Sequence, residues 1–356
     1  MSSFITIQSH WGPYSVHFED ELSDIVEKLV NKNSHFLVDE NVARLYSEKL
    51  KPILDRSTTI LIEATEFKKS LNEIGHVING LVENNVRRNQ LLVAIGGGIT
   101  QDITCFISSI LLRGIPWVFI PTTLLSQADS CIGSKSSINI QSAKNILGTF
   151  NPPSDVYICG DFLQSLNKEE IFSGVGEIIK VHAIESIEAF DQLALDYDHV
   201  LVDSAMLMEY TKKALLIKQK FIEIDEFDRG IRNIFNYGHS FGHAIEAATH
   251  FSIPHGIAVS MGMDMANFVA YKRGLLSQKN LERMHVVLQK NYSGFSKFDI
   301  PIDKLMAALK KDKKNIVNLL RLILPVGESV QMHVVDVIPD EVFQSQCREF
   351  LRVMHS

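Results

Sequence analysis

The chain has 356 residues, of which 46% are hydrophobic and 22% are charged, so it is long enough for two domains with separate cores. Its formal net charge of −7 argues against the positive surface that nucleic-acid binding needs, and its apolar runs are too short to span a bilayer. Because the N-terminus lacks a basic-then-apolar signal pattern, we expect a cytoplasmic protein that binds neither nucleic acid nor membrane.

From about residue 34, short runs rich in valine, isoleucine and leucine alternate with segments of helical periodicity. The predicted strands lie in HFLVDEN (35–41), TTILIEA (58–64), LLVAIGG (91–97) and PWVFIPTT (116–123). Between them, residues 42–54, 72–85 and 102–112 have the apolar spacing of helices. This alternation predicts a Rossmann-like α/β domain with a parallel sheet over residues 1–155.

After about residue 155 the strand-like runs become rare. Residues 168–193 and 207–225 show long stretches of helical spacing instead. We therefore predict a mainly α-helical domain over residues 156–356, with the boundary set by this change and by Pro152 and Pro153.

The first candidate site is Gly96-Gly97-Gly98, which closes a predicted strand and opens a predicted helix. Bare backbone N–H groups at a helix N-terminus can bind a pyrophosphate, so the segment suggests a dinucleotide site. A tight strand-to-helix turn would look the same, and the segment does not match GxGxxG.

A second candidate site follows the fourth predicted strand. Hydroxyl groups, Asp129, Asn145 and the lysines Lys135 and Lys144 are concentrated there among small residues. Such a density suits recognition of phosphate and hydroxyl groups, with a polar surface loop as the alternative.

The most informative segment is IRNIFNYGHSFGHAIEAA (231–248). Its polar residues recur at spacings of 4, 3, 4 and 3, which predicts that they share one helix face: Arg232, Asn236, His239, His243 and Glu246. A solvated amphipathic helix could carry the same stripe.

The same segment offers candidate metal ligands. His239 and His243 are four residues apart, but Ser240 occupies the place of the glutamate in HExxH. His255 and Glu177 are further candidates, and a Glu/His/His set with an open position is typical of catalytic zinc. The spacing alone is weak because the chain has 13 histidines. The scattered cysteines suggest buried free thiols rather than disulfides or a thiolate zinc site: Cys105, Cys131, Cys159 and Cys347.

Several segments together identify a family. They are GGGITQD (96–102), RGIPWVFIPTTLLSQADSCIGSKSSIN (113–139), KNILGTF (144–150), GVGEIIK (174–180), RNIFNYGHSFGHAIE (232–246), HGIAVSMGM (255–263), and DKKN with LRLILP (312–325). This ordered set resembles the 3-dehydroquinate synthases and related sugar phosphate cyclases, and it is far more specific than any single segment.

The resemblance implies particular residues for each ligand. It implies Zn²⁺, replaceable by Co²⁺, on Glu177, His239 and His255. It implies an NAD site formed by Asp39, Asn41, Glu66, Lys69, Gly97, Gly98, Asp102, Thr122, Thr123, Leu125, Lys144, Phe162 and Ser165. It implies a substrate pocket formed by Asp129, Lys135, Asn145, Lys180, Lys218, Asp228, Arg232, Asn236 and His243, with Lys313 or Lys314 completing a phosphate clamp. Arg113 resembles an arginine that reaches the neighbouring subunit's phosphate site, which implies a homodimer.

The family chemistry is conversion of 3-deoxy-D-arabino-heptulosonate 7-phosphate to 3-dehydroquinate and phosphate, a step of aromatic amino acid biosynthesis. It proceeds by transient oxidation with NAD, phosphate elimination, reduction and aldol closure. Lys218 and Arg232, which the family uses near the substrate carboxylate, favour this substrate. The alternatives are a cyclase acting on sedoheptulose 7-phosphate or a related sugar phosphate, a metal-dependent NAD polyol dehydrogenase, or a paralogue that only binds nucleotide.

Four positions depart from the family pattern. Gln101 and Cys105 stand where most members have glycine, and Ser134 replaces the second glycine of a GGK triplet. Asp228 replaces a glutamate and is one methylene shorter, which would shift any contact by about a bond length.

Overall fold

The chain forms two compact units in the computed structural model, which describes residues 3–141, 143–311, 315 and 319–354. Unit 1 comprises Met1–Leu166 and Lys218–Phe227, and unit 2 comprises Asn167–Ile217 and Asp228–Ser356. The chain first passes from unit 1 to unit 2 after Leu166, later than the predicted boundary at 155/156. The reason is that residues 155–159 form a strand inside the sheet of unit 1.

Unit 1 is an α/β unit. In chain order its elements are β1 (Ser3–Ile7), β2 (Tyr14–Glu19), α1 (Leu22–Val30), β3 (Ser34–Asp39), α2 (Glu40–Leu45), α3 (Ser47–Leu54), β4 (Thr59–Ile62), α4 (Leu71–Glu83), β5 (Leu91–Gly96), α5 (Gly98–Ile110), β6 (Trp117–Pro121), β7 (Ile138–Ile140), β8 (Ala143–Leu147) and β9 (Asp155–Cys159). A seven-stranded sheet has the order β1-β2-β9-β6-β5-β3-β4, and β7 and β8 pair separately.

The predicted parallel sheet is confirmed, since every pair in the large sheet except β1–β2 is parallel. Neither β1 nor β2 was predicted, and buried and partly buried residues are mixed along Tyr14–Glu19. If the parallel strands β3, β4, β5, β6 and β9 are numbered 1 to 5 in chain order, their order across the sheet is 2-1-3-4-5. In such a sheet, ligands bind outside the carboxyl ends of the strands at the switch point, here between β3 and β5.

Unit 2 is mainly helical, as predicted. Its elements are α6 (Lys168–Glu185), α7 (Ile187–Val200), α8 (Ser204–Ile224, which passes into unit 1 at Lys218), α9 (His239–Ala248), α10 (His255–Lys272), α11 (Gln278–Tyr292), α12 (Ile302–Lys310), β10 (Leu320–Val326), β11 (Gln331–Val337) and α13 (Glu341–Met354). The antiparallel β10–β11 hairpin was not predicted. Across the described part of both units, no helix combines the length and apolarity needed to cross a membrane.

The predicted continuous helix over 231–248 is wrong. A short 3₁₀ helix covers Ile231–Asn236, and α9 begins only at His239. Between them Gly238 is left-handed, with φ of 76°, and a Cβ there would lie 2.5 Å from Cγ of Met263. The polar stripe is therefore split, and Arg232 and Asn236 precede the helix that carries the histidines.

Glycines allow three helices of unit 2 to approach closely. A Cβ on Gly176 of α6 would overlap the carbonyl oxygen of Gly256 in α10. A Cβ on Gly262, also in α10, would overlap the carbonyl oxygen of Gly238 just before α9. Because Glu177, His239 and His255 adjoin these glycines, the two crossings bring these side chains together.

A buried carboxylate lies further along α10. Asp264 is fully buried, and its Oδ2 atom accepts hydrogen bonds from Tyr292 Oη at 2.5 Å and from His285 Nδ1 at 2.7 Å. The hydrogen bond to Asp264 raises the pKa of His285 above its usual value, while partial burial opposes this shift.

We predict that Gly176→Ala destabilises the protein by about 1 to 3 kcal/mol, because the added methyl group forces α6 away from α10. Gly75→Ala in α4 is the matched control, since its Cβ meets nothing within 4 Å and alanine favours a helix. Thermal unfolding of both variants checks the prediction. Equal unfolding temperatures for the two variants would refute the close-crossing explanation.

We also predict a pH-dependent contribution from His285. Because its folded-state pKa is raised, its stabilising effect is complete below the unfolded pKa of about 6.5 and is lost as pH rises through the folded pKa. Urea unfolding should show His285→Gln less stable than wild type by about 1 kcal/mol at acidic pH, with the difference shrinking at alkaline pH. A difference independent of pH would contradict this.

Candidate functional site

Three side chains in unit 2 converge with the geometry of metal ligands. Glu177 Oε1 lies 3.5 Å from Nε2 of His239 and 3.5 Å from Nε2 of His255. Ligand atoms at about 2.0 to 2.1 Å from a tetrahedral Zn²⁺ are separated by about 3.3 Å. The three atoms can therefore accept a zinc ion with only small adjustments.

The two histidines are oriented for metal binding. Nδ1 of His239 faces the carbonyl oxygen of Tyr237 at 3.3 Å, and Nδ1 of His255 faces the carboxylate of Glu246 at 3.2 and 3.3 Å. A proton on each Nδ1 would be donated to these acceptors, which leaves the Nε2 lone pairs directed at the carboxylate of Glu177.

The electrostatics of this cluster favour a bound cation. Glu177 is 1% exposed and forms an ion pair with Lys180. Although burial opposes ionisation, Lys180 and the neighbouring histidines hold the pKa of Glu177 well below its usual range. Burial, followed by Lys180, holds the pKa of His239 well below its usual range, so its ring is neutral, as a ligand must be.

His255 differs from His239 because it lies between two carboxylates. Burial opposes its protonation, but Glu177 and Glu246 raise the pKa of His255 to about 10. The same negative charges attract a metal ion, which would displace the proton from the ring.

His243 lies beside this cluster. The ring nitrogens of His239, His243 and His255 can all lie within 4.8 Å of one another, and His243 is the most exposed of the three. The geometry therefore allows His243 either to contact a substrate, as the family resemblance implies, or to take the place of Glu177 as a ligand.

Other predicted substrate residues of unit 2 lie near the β10–β11 hairpin. Asn236 lines a cavity of about 190 Å³ together with Asn233, Arg321, Ile323 and Val334. Arg232 is buried, and Asp228 has a left-handed φ of 56°. Arg321 lies in the quoted LRLILP segment, but the sequence analysis did not single it out as a site residue. Lys313 and Lys314 lie outside the described residues.

In unit 1 the structure brings together two more of the predicted substrate residues. Lys218 Nζ donates to the main-chain oxygen of Asp129 at 2.5 Å and lies 3.0 Å from its Oδ1 atom. Asp129 belongs to a π-helical turn, Ser126–Ser130. The pair places a nearly buried ammonium group beside a carboxylate.

Gln101 is bonded to the same turn. Its Nε2 donates to the main-chain oxygen of Ser130 at 2.6 Å, and Ser130 Oγ donates to its Oε1 at 2.6 Å. The departure from glycine thus ties the first turn of α5 to the residue next to Asp129, and the side chain lies 7% exposed.

The candidate nucleotide residues surround the switch point of the sheet. As predicted, β5 ends at Gly96 and α5 begins at Gly98, with Gly97 as the N-cap. At the end of β3, Asp39 accepts the backbone N–H of Asn41 at 2.8 Å. The glycine segment and Asp39 therefore lie at the ends of neighbouring strands, where a nucleotide is expected.

A buried lysine connects further members of this set. Lys69 Nζ lies 3.2 Å from Asp102 Oδ2, 3.3 Å from Glu66 Oε1, and 3.1 Å from Asn145 Oδ1. Asn145, predicted for the substrate, thus lies beside three predicted NAD residues. Glu66 and Lys144 also line a cavity of about 360 Å³.

The remaining predicted residues of unit 1 are more scattered. Thr123 bonds Ser126 at the start of the π-helical turn, near Thr122 and Leu125. Phe162 is fully buried in the hydrophobic core, and Ser165 accepts a hydrogen bond from Tyr46. Lys135 and Arg113 are exposed. Arg113 and the preceding Leu112 both have left-handed backbone conformations, with φ angles of 65° and 52° respectively.

The chain is similar to known proteins over nearly its whole length. The chain matches the family models described as 3-dehydroquinate synthase N-terminal over residues 59–173 and 3-dehydroquinate synthase C-terminal over residues 174–315. A 3-dehydroquinate synthase from a Thermoanaerobacter species is 34% identical over 352 residues, covering 96% of this chain and 99% of that protein. Another, from Dictyoglomus turgidum, is 39% identical over 297 residues and covers 82% of each. The structure of 2-epi-5-epi-valiolone synthase from Streptomyces hygroscopicus, with NAD⁺ and Zn²⁺ bound, is 25% identical with a TM-score of 0.81 over 96% of both chains.

We predict that His255→Ala loses metal and activity but keeps its fold, because a side chain at the first residue of α10 is removed without opening a core. Metal content after dialysis and circular dichroism check this, and His333→Ala on the exposed side of β11 is the matched control. Full metal content in His255→Ala would show that the ligand set is wrong.

Proposed function

We propose, since the chain belongs to the 3-dehydroquinate synthase family, that it converts 3-deoxy-D-arabino-heptulosonate 7-phosphate to 3-dehydroquinate and phosphate. The observation that carries the proposal is the convergence of Glu177, His239 and His255 at 3.5 Å. It would provide a catalytic metal site in a chain that is an enzyme of the sugar phosphate cyclase family.

Each unit would hold one cofactor. Bound Zn²⁺ or Co²⁺ would supply Lewis acidity toward a substrate hydroxyl, and bound NAD would supply reversible hydride acceptance. Unit 1 would bind the pyrophosphate of NAD at Gly97 and Gly98, with the N-terminus of α5 compensating its charge. In unit 2, Lys180 pairs with Glu177 and lowers the cost of burying this ionised carboxylate, which would be a ligand of the metal.

The chain's own cations would select the substrate. Asp129 holds the ammonium group of Lys218 in a fixed position, where it can recognise an anionic substrate group with little loss of entropy. This ammonium group would bind the carboxylate that distinguishes the heptulosonate from neutral sugar phosphates. Phosphate loss would be assisted by Lys135 and Asn145, which stabilise the departing charge.

Phosphate elimination would generate the enol that acts as the nucleophile in ring closure. Hydride removal acidifies the adjacent C–H bond, the substrate phosphate can take that proton, and phosphate leaves with the bonding electron pair. The hydride returns before aldol closure, so the net reaction consumes no NAD. We further propose that the enzyme acts in the cytoplasm as a homodimer in which Arg113 reaches the neighbouring subunit.

A second cyclase activity is the main alternative. The resemblance to 2-epi-5-epi-valiolone synthase, with a TM-score of 0.81, favours sedoheptulose 7-phosphate or a related sugar phosphate. The named relatives at 34% and 39% identity favour the heptulosonate. A polyol dehydrogenase would share the need for NAD and metal but would have no use for the phosphate-binding residues.

Release of inorganic phosphate tests the proposal. We predict release from 3-deoxy-D-arabino-heptulosonate 7-phosphate without net NADH formation, and at least tenfold lower kcat/KM, or about 1.4 kcal/mol, with sedoheptulose 7-phosphate and glucose 6-phosphate. Lys218→Met should lose most activity on the heptulosonate. Preference for either comparison substrate would overturn the assignment, and steady NADH formation with a polyol would indicate a dehydrogenase.

A further inference from the structure

We infer that Glu246 is a positioning residue of the metal site, which fixes the ring of His255 and strengthens its bond to the metal. The inference rests on the proposed metal-binding function. Neither the spacing of candidate ligands nor the resemblance assigned a role to Glu246, which was predicted only as the last member of a polar helix stripe.

The contacts of His255 give the first argument. Its two ring nitrogens face two different carboxylates, Nε2 toward Glu177 at 3.5 Å and Nδ1 toward Glu246 at 3.2 Å. Both oxygens of Glu246 lie within 3.3 Å of Nδ1, so the carboxylate is directed at this ring. A proton held on Nδ1 leaves Nε2 as the metal-binding atom.

The comparison with His239 gives the second argument. The Nδ1 atom of His239 faces a neutral acceptor, the main-chain oxygen of Tyr237, at 3.3 Å. A carboxylate polarises an imidazole more strongly than a carbonyl does, because it carries a full negative charge. Of the two histidines, His255 is thus the one whose bond to the metal would depend on a side chain, that of Glu246, which can be substituted.

The helix that carries Glu246 gives the third argument. Glu246 lies on α9, seven residues after His239, which places both on one helix face. The chain then turns through His250 and Phe251, whose φ angles of 54° and 61° are left-handed, before α10 begins at His255. The carboxylate of Glu246 therefore bridges the two helices that supply the histidines, at a side-chain exposure of 12%.

Zinc affinity of the full chain tests the inference, measured by competition with a chromophoric chelator. We expect Glu246→Ala to weaken Zn²⁺ binding by about 10- to 100-fold. Glu246→Gln, which keeps an acceptor for Nδ1 but loses the charge, should show an intermediate loss. Glu282→Ala on α11 is the matched control, because the Glu282 side chain is exposed and, within the described part of the chain, accepts a hydrogen bond only from Gln278.

The visible spectrum of the Co²⁺-loaded protein provides a second readout, because it reports coordination geometry directly. A shifted spectrum in Glu246→Ala, partly restored in Glu246→Gln, would support a positioning role. Wild-type Zn²⁺ affinity and an unchanged Co²⁺ spectrum in Glu246→Ala would overturn it. If wild type itself bound no Zn²⁺, the proposed metal site and this inference would both fail. A defect confined to the Glu246 variants would support this inference, and the substrate assignment would still depend on the phosphate-release experiment.

Discussion

The close crossing of α6 and α10 is the constraint on which the proposed metal site depends. No side chain fits between Gly176 and the carbonyl oxygen of Gly256, so the two helices meet at their backbones. The residue after Gly176 is Glu177, and the residue before Gly256 is His255. Close packing of these glycines therefore sets the distance between a buried carboxylate and an imidazole, and a second crossing at Gly238 and Gly262 adds His239. Rigid helices hold ligands more accurately than loops do, which suits a catalytic site.

Once these helices are in contact, the charges of the site constrain one another. Ionised Glu177 is buried at 1% exposure, which is tolerable because Lys180 pairs with it and two imidazoles face it. Glu246 adds negative charge on the far side of His255. The negative charges of Glu177 and Glu246 would attract a metal ion, which adds a physical reason for the proposed site to the spacing of its candidate ligands. In unit 1, Lys218 and Lys69 repeat this principle, since each nearly buried ammonium group lies beside carboxylate oxygens.

Local patterns predicted much of this architecture. The parallel sheet followed from buried apolar runs, and the strand-to-helix turn at Gly96–Gly98 followed from glycines after such a run. The helix over 231–248 was predicted wrongly because periodicity does not reveal a tertiary contact, here the approach of Gly238 to Met263. The boundary at 155/156 was too early because a short strand, Asp155–Cys159, belongs to the sheet of unit 1. Glu246 could have been recognised from its place seven residues after His239, but its contact with His255 crosses a loop and is set by packing.

We propose that Glu177, His239 and His255 bind a catalytic metal ion. X-ray absorption at the zinc edge of the Zn²⁺-loaded protein tests it most directly, because it reports the type, number and distance of ligands. The account predicts two imidazoles and one carboxylate at about 2.0 to 2.1 Å, with a water molecule completing the shell. Three imidazoles would place His243 in the position assigned to Glu177 and would contradict the account.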